Sequence, residues 1–357
     1  MNSIILFDLF AFVVAFLASA VLTPAARDLA FKVRLLDNPG PRKVHAAPMP
    51  LLGGLAVYLA AVFAVAVFVT DEEWSQMFGL FVAATLVLVV GTLDDRGMLH
   101  HQIKLVLMMP LVAIILIGTD MHSEIFHLVV ALPVVGLPGA WIDYALSFVW
   151  FIGIIAAFSI LDHMDGLCAG TAAIVSAFCC SFAAVGGQLL VGTLAAVILG
   201  ATLGFLRWNS QPARIFLGDG GAMLLGLVAA TLGIKLRFPE LSPTVSWLVP
   251  VLVLIVPIFD TTLVTVSRLR RGLVPFASPG KDHTAHRLVA LGMSQRGAVG
   301  VLYGLGMLGG ALAWIVALVG PPAGMPIVAF GVVSTVVALV WLERVPYERQ
   351  EVETGHS

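Results

Sequence analysis

The chain has 357 residues, of which 60% are hydrophobic and only 11% are charged, with a mean hydropathy of +1.03. An ordinary soluble domain carries about a quarter charged residues, so this composition excludes one and identifies a polytopic membrane protein of all-α class. The formal net charge of −2 says little where charges are sorted by membrane side.

A spanning helix needs about 20 mostly apolar residues. Such runs occur near 4–24, 51–70, 76–93, 102–119, 144–161, 168–185, 189–206, 217–234, 244–266, 298–319 and 325–342. They predict about eleven membrane crossings, ten or eleven allowing for one ambiguous run. The first run lacks a preceding basic residue and a small-residue cleavage site, so it reads as a retained helix. Its first positive charge is Arg27, beyond the helix, which places the N-terminus outside and the following loop in the cytosol. Alternation from there puts 17 of the 19 basic residues inside, leaving Lys235 and Arg237 outside. The segment from His127 to Trp141 is too short and too broken by Pro133 and Pro138 to span, and it predicts a short hairpin or re-entrant piece on the outer face.

No soluble insertion reaches domain size. Residues 1–343 are therefore expected to form one transmembrane domain, with inner loops at 25–50, 93–103, 161–168, 207–219 and 267–297, and 344–357 a short polar cytosolic tail. Cys168, Cys179 and Cys180 lie in or at the start of one apolar run and read as small core residues.

The acids divide by side. Outside lie scattered loop carboxylates such as Asp71, Glu72 and Asp143. Inside, Asp94 and Asp95 close the third run, Asp162 and Asp165 follow the fifth, Asp219 opens the eighth, Asp260 lies in the ninth, and Asp282 is in the last inner loop. Ionisable residues in or beside spans are costly and mark function. Taken singly, Asp219 reads equally as a helix cap. Taken together, acids converging from different helices would repel one another unless a cation neutralised them, which points to a divalent metal site. Oxygen ligands suit Mg²⁺ or Mn²⁺, and Mg²⁺ usually combines one or two carboxylates with substrate phosphates. Asp162 and Asp165 are three apart and share a face if helical, whereas adjacent Asp94 and Asp95 diverge by about 100°. Lys43 and His45 in "RKVH", and Lys281, His283, His286 and Arg287 in "GKDHTAHRL", supply phosphate-binding chemistry. The His283/His286 spacing is also compatible with zinc, although no third histidine or cysteine accompanies the pair in that loop. Arg268, Arg270 and Arg271 read as topological anchors.

Five stretches in order, "DNPGPRKVHAAPMPLLGG", "GTLDDRG", "LDHMDGLCAG", "FLGDGGAMLLG" and "PIFDTTLVTVSRLRRGLVPFASPGKDHTAHRLVALGMS", resemble the polyprenyl-phosphate N-acetylhexosamine-1-phosphate transferases, glycosyltransferase family 4. The resemblance covers about Leu36 to Val299. It implies Mg²⁺-dependent transfer of a sugar-1-phosphate from a UDP-N-acetylhexosamine to a polyprenyl phosphate, releasing UMP, at the cytosolic face of the plasma (inner) membrane. It implies Asp219 as metal ligand, Asp94 and Asp95 near the metal or lipid phosphate, and Asp162 and Asp165 near nucleotide and metal. It further implies Lys43 and His45 at the nucleotide, and His283, His286 and Arg287 at the diphosphate or sugar. The histidine loop is similar to the WecA type rather than the MraY type, which favours UDP-GlcNAc. Where many members carry asparagines, this chain has Ala156 and Ser159, which keeps a catalytically silent assembly partner as the rival reading. No nucleic-acid partner is expected, and a homodimer is left open.

Overall fold

The computed structural model describes residues 2–39, 47–68, 74–99, 108–119, 122, 139–274, 280–320 and 323–345. The segment expected as an outer hairpin lies outside these, apart from Gly139–Trp141, which belong to a helix. The polar tail lies outside them beyond Val345.

Among the described residues the regular structure is helical apart from one two-residue antiparallel ladder. In order come α1 (Asn2–Lys32), β1 (Leu36–Asp37), β2 (Met49–Pro50), α2 (Gly53–Phe68), α3 (Trp74–Asp95), α4 (Met109–Gly118) and α5 (Gly139–Leu161). They are followed by α6 (Leu167–Gly186), α7 (Leu189–Asn209), α8 (Gly218–Lys235), α9 (Pro243–Ser246), α10 (Leu248–Val253) and α11 (Ile255–Arg270). The chain continues with α12 (Thr284–Ala290), α13 (Gln295–Val319) and α14 (Gly324–Glu343). Among the described residues, seven helices are long and apolar enough to cross a membrane: α1, α3, α5, α6, α7, α13 and α14. The protein is a multi-pass membrane protein. Each predicted run contains helix, but the ninth is not one rod: it breaks at Leu254 between α10 and α11, where Pro250 and Pro257 remove backbone donors.

Helix α8 is the axis of the bundle. Every residue from Gly220 to Ile234 is buried, as expected of a helix that is apolar all round, and it packs on α2, α3, α5 and α6. Its first turn makes the closest approaches. A methyl group added at Gly91 of α3 would collide with the Gly220 backbone, and one at Gly54 of α2 with Gly221. Small residues that let backbones meet are the usual device of helix association in membranes. The segment before α8 is stitched to the start of α2: Phe216 N–H donates to Pro50 O (2.8 Å), Gly53 N–H to Phe216 O (3.0 Å) and Gly54 N–H to Leu217 O (2.8 Å). Those bonds fix one end of α8. Lys235 and Arg237 lie at its other end, where Gln188 brackets Arg237 by accepting its N–H (2.9 Å) and donating to its carbonyl (2.8 Å).

A second, smaller hydrophobic cluster joins α11, α12, α13 and the end of α14 through Phe259, Leu263, Leu288, Leu302 and Leu342. Between α5, α8, α10 and α11 runs an apolar cavity of about 550 Å³, lined among others by Trp150, Ile154, Gly233, Pro250 and Thr261. Trp150 keeps its indole N–H satisfied by donating to Ala230 O at 3.0 Å.

The backbone contact at Gly220 gives a direct test. In Gly220→Val, the side chain would meet Leu88 O and Thr92 of α3. It is expected to cost about 1–3 kcal/mol or more, seen as a lowered melting temperature and a smaller monodisperse fraction after detergent extraction.

Candidate active site

Asp95 ends α3 one turn beyond Gly91, so the contact of Gly91 with Gly220 delivers its carboxylate to the start of α8. Both Asp95 oxygens accept the Asp219 backbone N–H at 3.1 Å. The helix is thus capped by an acid from another helix, and not by Asp219, which sits in the first turn. Two carboxylates tolerate this closeness because the unsatisfied N–H groups and positive dipole end of α8 face them. Gly218 is required here: its φ is +76°, and a Cβ would lie 2.7 Å from Asp95 Oδ2 and 2.7 Å from Leu51 O. Asp94, the other member of the pair, is buried at the end of α3.

The loop between α5 and α6 brings Asp162 and Asp165 to the same place. It is held on three sides. Gly166, at φ +76°, donates its N–H to Asn209 Oδ1 (3.1 Å) and accepts from the Tyr303 hydroxyl (2.6 Å). Asn209 in turn donates to Ile215 O at 2.9 Å. Asp165 Oδ2 accepts the Ala213 N–H at 2.9 Å. The 210–217 segment that receives these bonds is also gripped by Arg296, which donates to Gln211 O. Asp162 points into the acid group. Burial and the neighbouring charges of Asp219, Asp95 and Asp165 push its carboxyl up to about 8. A set of acids that raises one member this far fits a divalent cation with oxygen ligands.

The histidine loop forms the adjoining wall. Asp260 of α11 is fully buried; it accepts the Thr284 N–H (2.7 Å) and pairs with His283 Nδ1 (3.0 Å). His163 stacks on His283 with ring centroids 4.1 Å apart and lies 5.0 Å from His286. Burial, the His283 charge and the His286 charge outweigh the pull of Asp260 and lower His163 to about 3. Burial and His283 lower His286 to about 4. Both rings are therefore neutral near pH 7.

Several expectations need correction. Asp282 does not join the acids: Arg268 grips it with two bonds of 2.9 Å, and Arg271 takes the remaining side. Burial opposes its charge, but those guanidinium groups hold it at about 2. Arg268 and Arg271 are thus the clasp of the histidine loop and not mere anchors. Arg287, expected at the diphosphate or sugar, is 0% exposed. It spends its donors on Asp282 O, Leu342 O, Ser267 Oγ and Glu343 Oε2, which binds the loop to α14. Ala156 is buried in the helix packing, away from the loop bonds. Lys43 and His45 lie outside the described residues. Asn209, Tyr303 and Glu343 were not picked out in sequence. An asparagine and a tyrosine within or ending apolar runs were the signal available, since a buried polar side chain must find a partner.

The structure therefore gathers Asp95, Asp162, Asp165 and Asp219 at one end of the bundle, with Asp94 next to Asp95 in the chain and with His163, His283 and His286 packed together on the adjoining loops. Residues 77–237 match the model of "Glycosyl transferase family 4". Similar proteins include "Probable undecaprenyl-phosphate N-acetylglucosaminyl 1-phosphate transferase" of Bacillus subtilis (strain 168), 34% identical over 84% of this chain and 82% of that protein. Decaprenyl-phosphate N-acetylglucosaminephosphotransferase of Mycolicibacterium smegmatis is 30% identical over 90% of this chain and 81% of its own length. Undecaprenyl-phosphate alpha-N-acetylglucosaminyl 1-phosphate transferase of Escherichia coli (strain K12) is 27% identical over 79% and 77%. The chain belongs to glycosyl transferase family 4, among its polyprenyl-phosphate N-acetylhexosamine-1-phosphate transferases, and is an enzyme of that class.

The clasp is testable by itself. Arg268→Met leaves Asp282 buried with half its partners and is expected to destabilise by about 3–5 kcal/mol. Arg268→Met with Asp282→Leu should recover part of that loss in thermal unfolding of the detergent-solubilised protein.

Proposed function

We propose that this enzyme transfers N-acetylhexosamine-1-phosphate, in the simplest case GlcNAc-1-phosphate, from a UDP-sugar to a polyprenyl phosphate such as undecaprenyl phosphate. UMP leaves, and the product starts a lipid-linked surface glycan. The observation that carries the reading is the convergence of Asp95, Asp162, Asp165 and Asp219 on the first turn of α8, which raises Asp162 so far. The named activities of the relatives support the same donor sugar and acceptor class.

In this reading Asp219 and Asp165 hold Mg²⁺, or Mn²⁺ in its place, with Asp162 and Asp95 beside them. When bound, the cation neutralises the donor pyrophosphate and the charge that develops at the attacked phosphorus. An oxygen of the lipid phosphate forms the new bond to the β-phosphorus, and the bond from that phosphorus to the UMP oxygen breaks. A phosphate with a second pKa near 6 is already largely ionised at pH 7. No strong base is therefore needed, and Asp94 is the buried carboxylate at hand for a residual proton. Lys43 and His45 serve the nucleotide; His283 and the half-buried His286 serve the diphosphate or sugar. Arg287 holds their loop in register. The apolar cavity beside α11, lined by Trp150, Ile154, Ile258 and Thr261 among others, suits the hydrocarbon of the acceptor.

The same reading places eleven crossings in the plasma (inner) membrane, with the N-terminus outside and the acid face and C-terminus in the cytosol. Arg268, Arg271 and Arg296 at the acid end of the bundle, set against Lys235 and Arg237 at the far end of α8, support it through the positive-inside rule. A homodimer is compatible with this arrangement and not required by it.

The deciding experiment is transfer of label from UDP-[¹⁴C]GlcNAc to undecaprenyl phosphate by the purified protein with Mg²⁺. Labelled lipid and UMP are expected, with activity falling by more than about a hundredfold in Asp219→Ala and on EDTA treatment. No labelled lipid from folded protein with any UDP-N-acetylhexosamine would reject the reading. A pH series adds an independent check. Because the folded state favours the protonated form of Asp162 up to about pH 8, cation binding must expel a proton. Apparent Mg²⁺ affinity, read from thermal protection, should therefore rise by up to about tenfold per pH unit until near pH 8 and then level. Asp162→Asn should flatten that rise.

A further inference from the structure

The histidine wall has donor chemistry unlike that of the acid group. His163 Nδ1 lies 3.1 Å from Ile160 O; a carbonyl only accepts, so Nδ1 carries the hydrogen and Nε2 keeps its lone pair. That Nε2 is buried and has no hydrogen-bond partner. An unsatisfied buried acceptor is costly and calls for an explanation. His163 belongs to the one group of three among the described residues, with Asp260 and His283, in which one ligand atom from each lies within 4.8 Å of the others.

We propose that His163, Asp260 and His283 form a second cation site, for a borderline metal of the zinc class, separate from the carboxylate site at the start of α8. Two imidazoles and one carboxylate match zinc, while Mg²⁺ prefers oxygen ligands throughout. With metal–nitrogen bonds of about 2.0–2.1 Å, the edge of a zinc tetrahedron is about 3.3 Å. The three ligand atoms therefore have to close by at most about 1.5 Å, and His163 lies on a loop whose side chain can turn to do so. The ligands already have the supports that metal-binding histidines use: the Ile160 carbonyl behind His163, and the Thr284 N–H on Asp260. Each carboxylate oxygen of Asp260 has a second lone pair beyond the bond it accepts now. The ring of His286 lies 5.0 Å from His163 and 6.1 Å from His283 and is the nearby side chain that could add a fourth ligand. Occupation would tie the loop carrying Asp162 and Asp165 to α11 and the start of α12.

The site does not depend on the proposed transfer reaction, and its test uses no donor or acceptor. The full chain in detergent is stripped with chelator, returned to excess Mg²⁺, and titrated with Co²⁺ and then Zn²⁺; metal content is measured after dialysis. About one zinc per chain should remain despite Mg²⁺, and Co²⁺ should show tetrahedral visible absorption that Zn²⁺ displaces. His163→Gln should weaken zinc binding by at least tenfold while the protein keeps its gel-filtration profile. His283→Gln should do the same, and Asp219→Asn should leave zinc binding unchanged. Absence of stoichiometric zinc, or equal zinc affinity in His163→Gln, would overturn the proposal. Loss in Asp219→Asn without loss in His163→Gln would overturn it as well, by placing the metal among the carboxylates.

Discussion

The contact on which the site depends is the backbone approach of α3 and α2 to the first turn of α8. Gly91 against Gly220 and Gly54 against Gly221 leave no room for a Cβ. Only that proximity lets the Asp95 carboxylate reach the Asp219 N–H. The dipole of α8 and the Asp219 N–H that Asp95 accepts offset part of the repulsion between the two acids. Packing geometry and electrostatics are thus the same constraint here: separating α3 from α8 to relieve crowding would also strip the helix of its cap.

Around that contact the fold uses two kinds of buried charge. At Asp282, Arg268 and Arg271 compensate the acid completely, and Arg287 extends the lock to the end of α14. Such pairs add little net stability compared with apolar packing, but breaking them is costly, so they specify where the histidine loop sits. At Asp162 the surrounding charges that matter are those of other acids. The two aspartates thus differ in kind: guanidinium groups hold Asp282 charged, whereas burial and neighbouring acids favour the protonated form of Asp162.

Much of this was legible in sequence. Hydropathy runs marked the helices, and the sorting of acids toward one side pointed to the end of the bundle where Asp95, Asp162, Asp165 and Asp219 meet, because both reflect the cost of charge in a hydrocarbon environment. What sequence did not reveal is which acids are neutralised internally. Asp282 looks like the other inner acids in the chain, and what sets it apart is Arg268, fourteen residues before it but folded onto it. Arg287 looked like a phosphate ligand for the same reason, since nothing local announces that Glu343 and the Leu342 carbonyl will receive it. The break at Leu254 was hinted at by Pro250 and Pro257, yet apolar continuity concealed it.

The loop of Asp162 and Asp165 shows how a membrane enzyme can make a loop rigid. A loop of five residues between two long helices has few contacts of its own. Here Gly166 is held by both of its backbone polar groups, to Asn209 on one side and Tyr303 on the other, and Asp165 is held by the Ala213 N–H. Asn209 ends α7 and Tyr303 belongs to α13, so α7 and α13 position the loop that follows α5. Buried in a low-dielectric setting, each bond is costly to leave unmade, so the loop keeps one conformation without a core of its own. Positioning of that kind is what transfer to a polyprenyl phosphate needs most, because two substrates do not bring their reacting atoms together unaided.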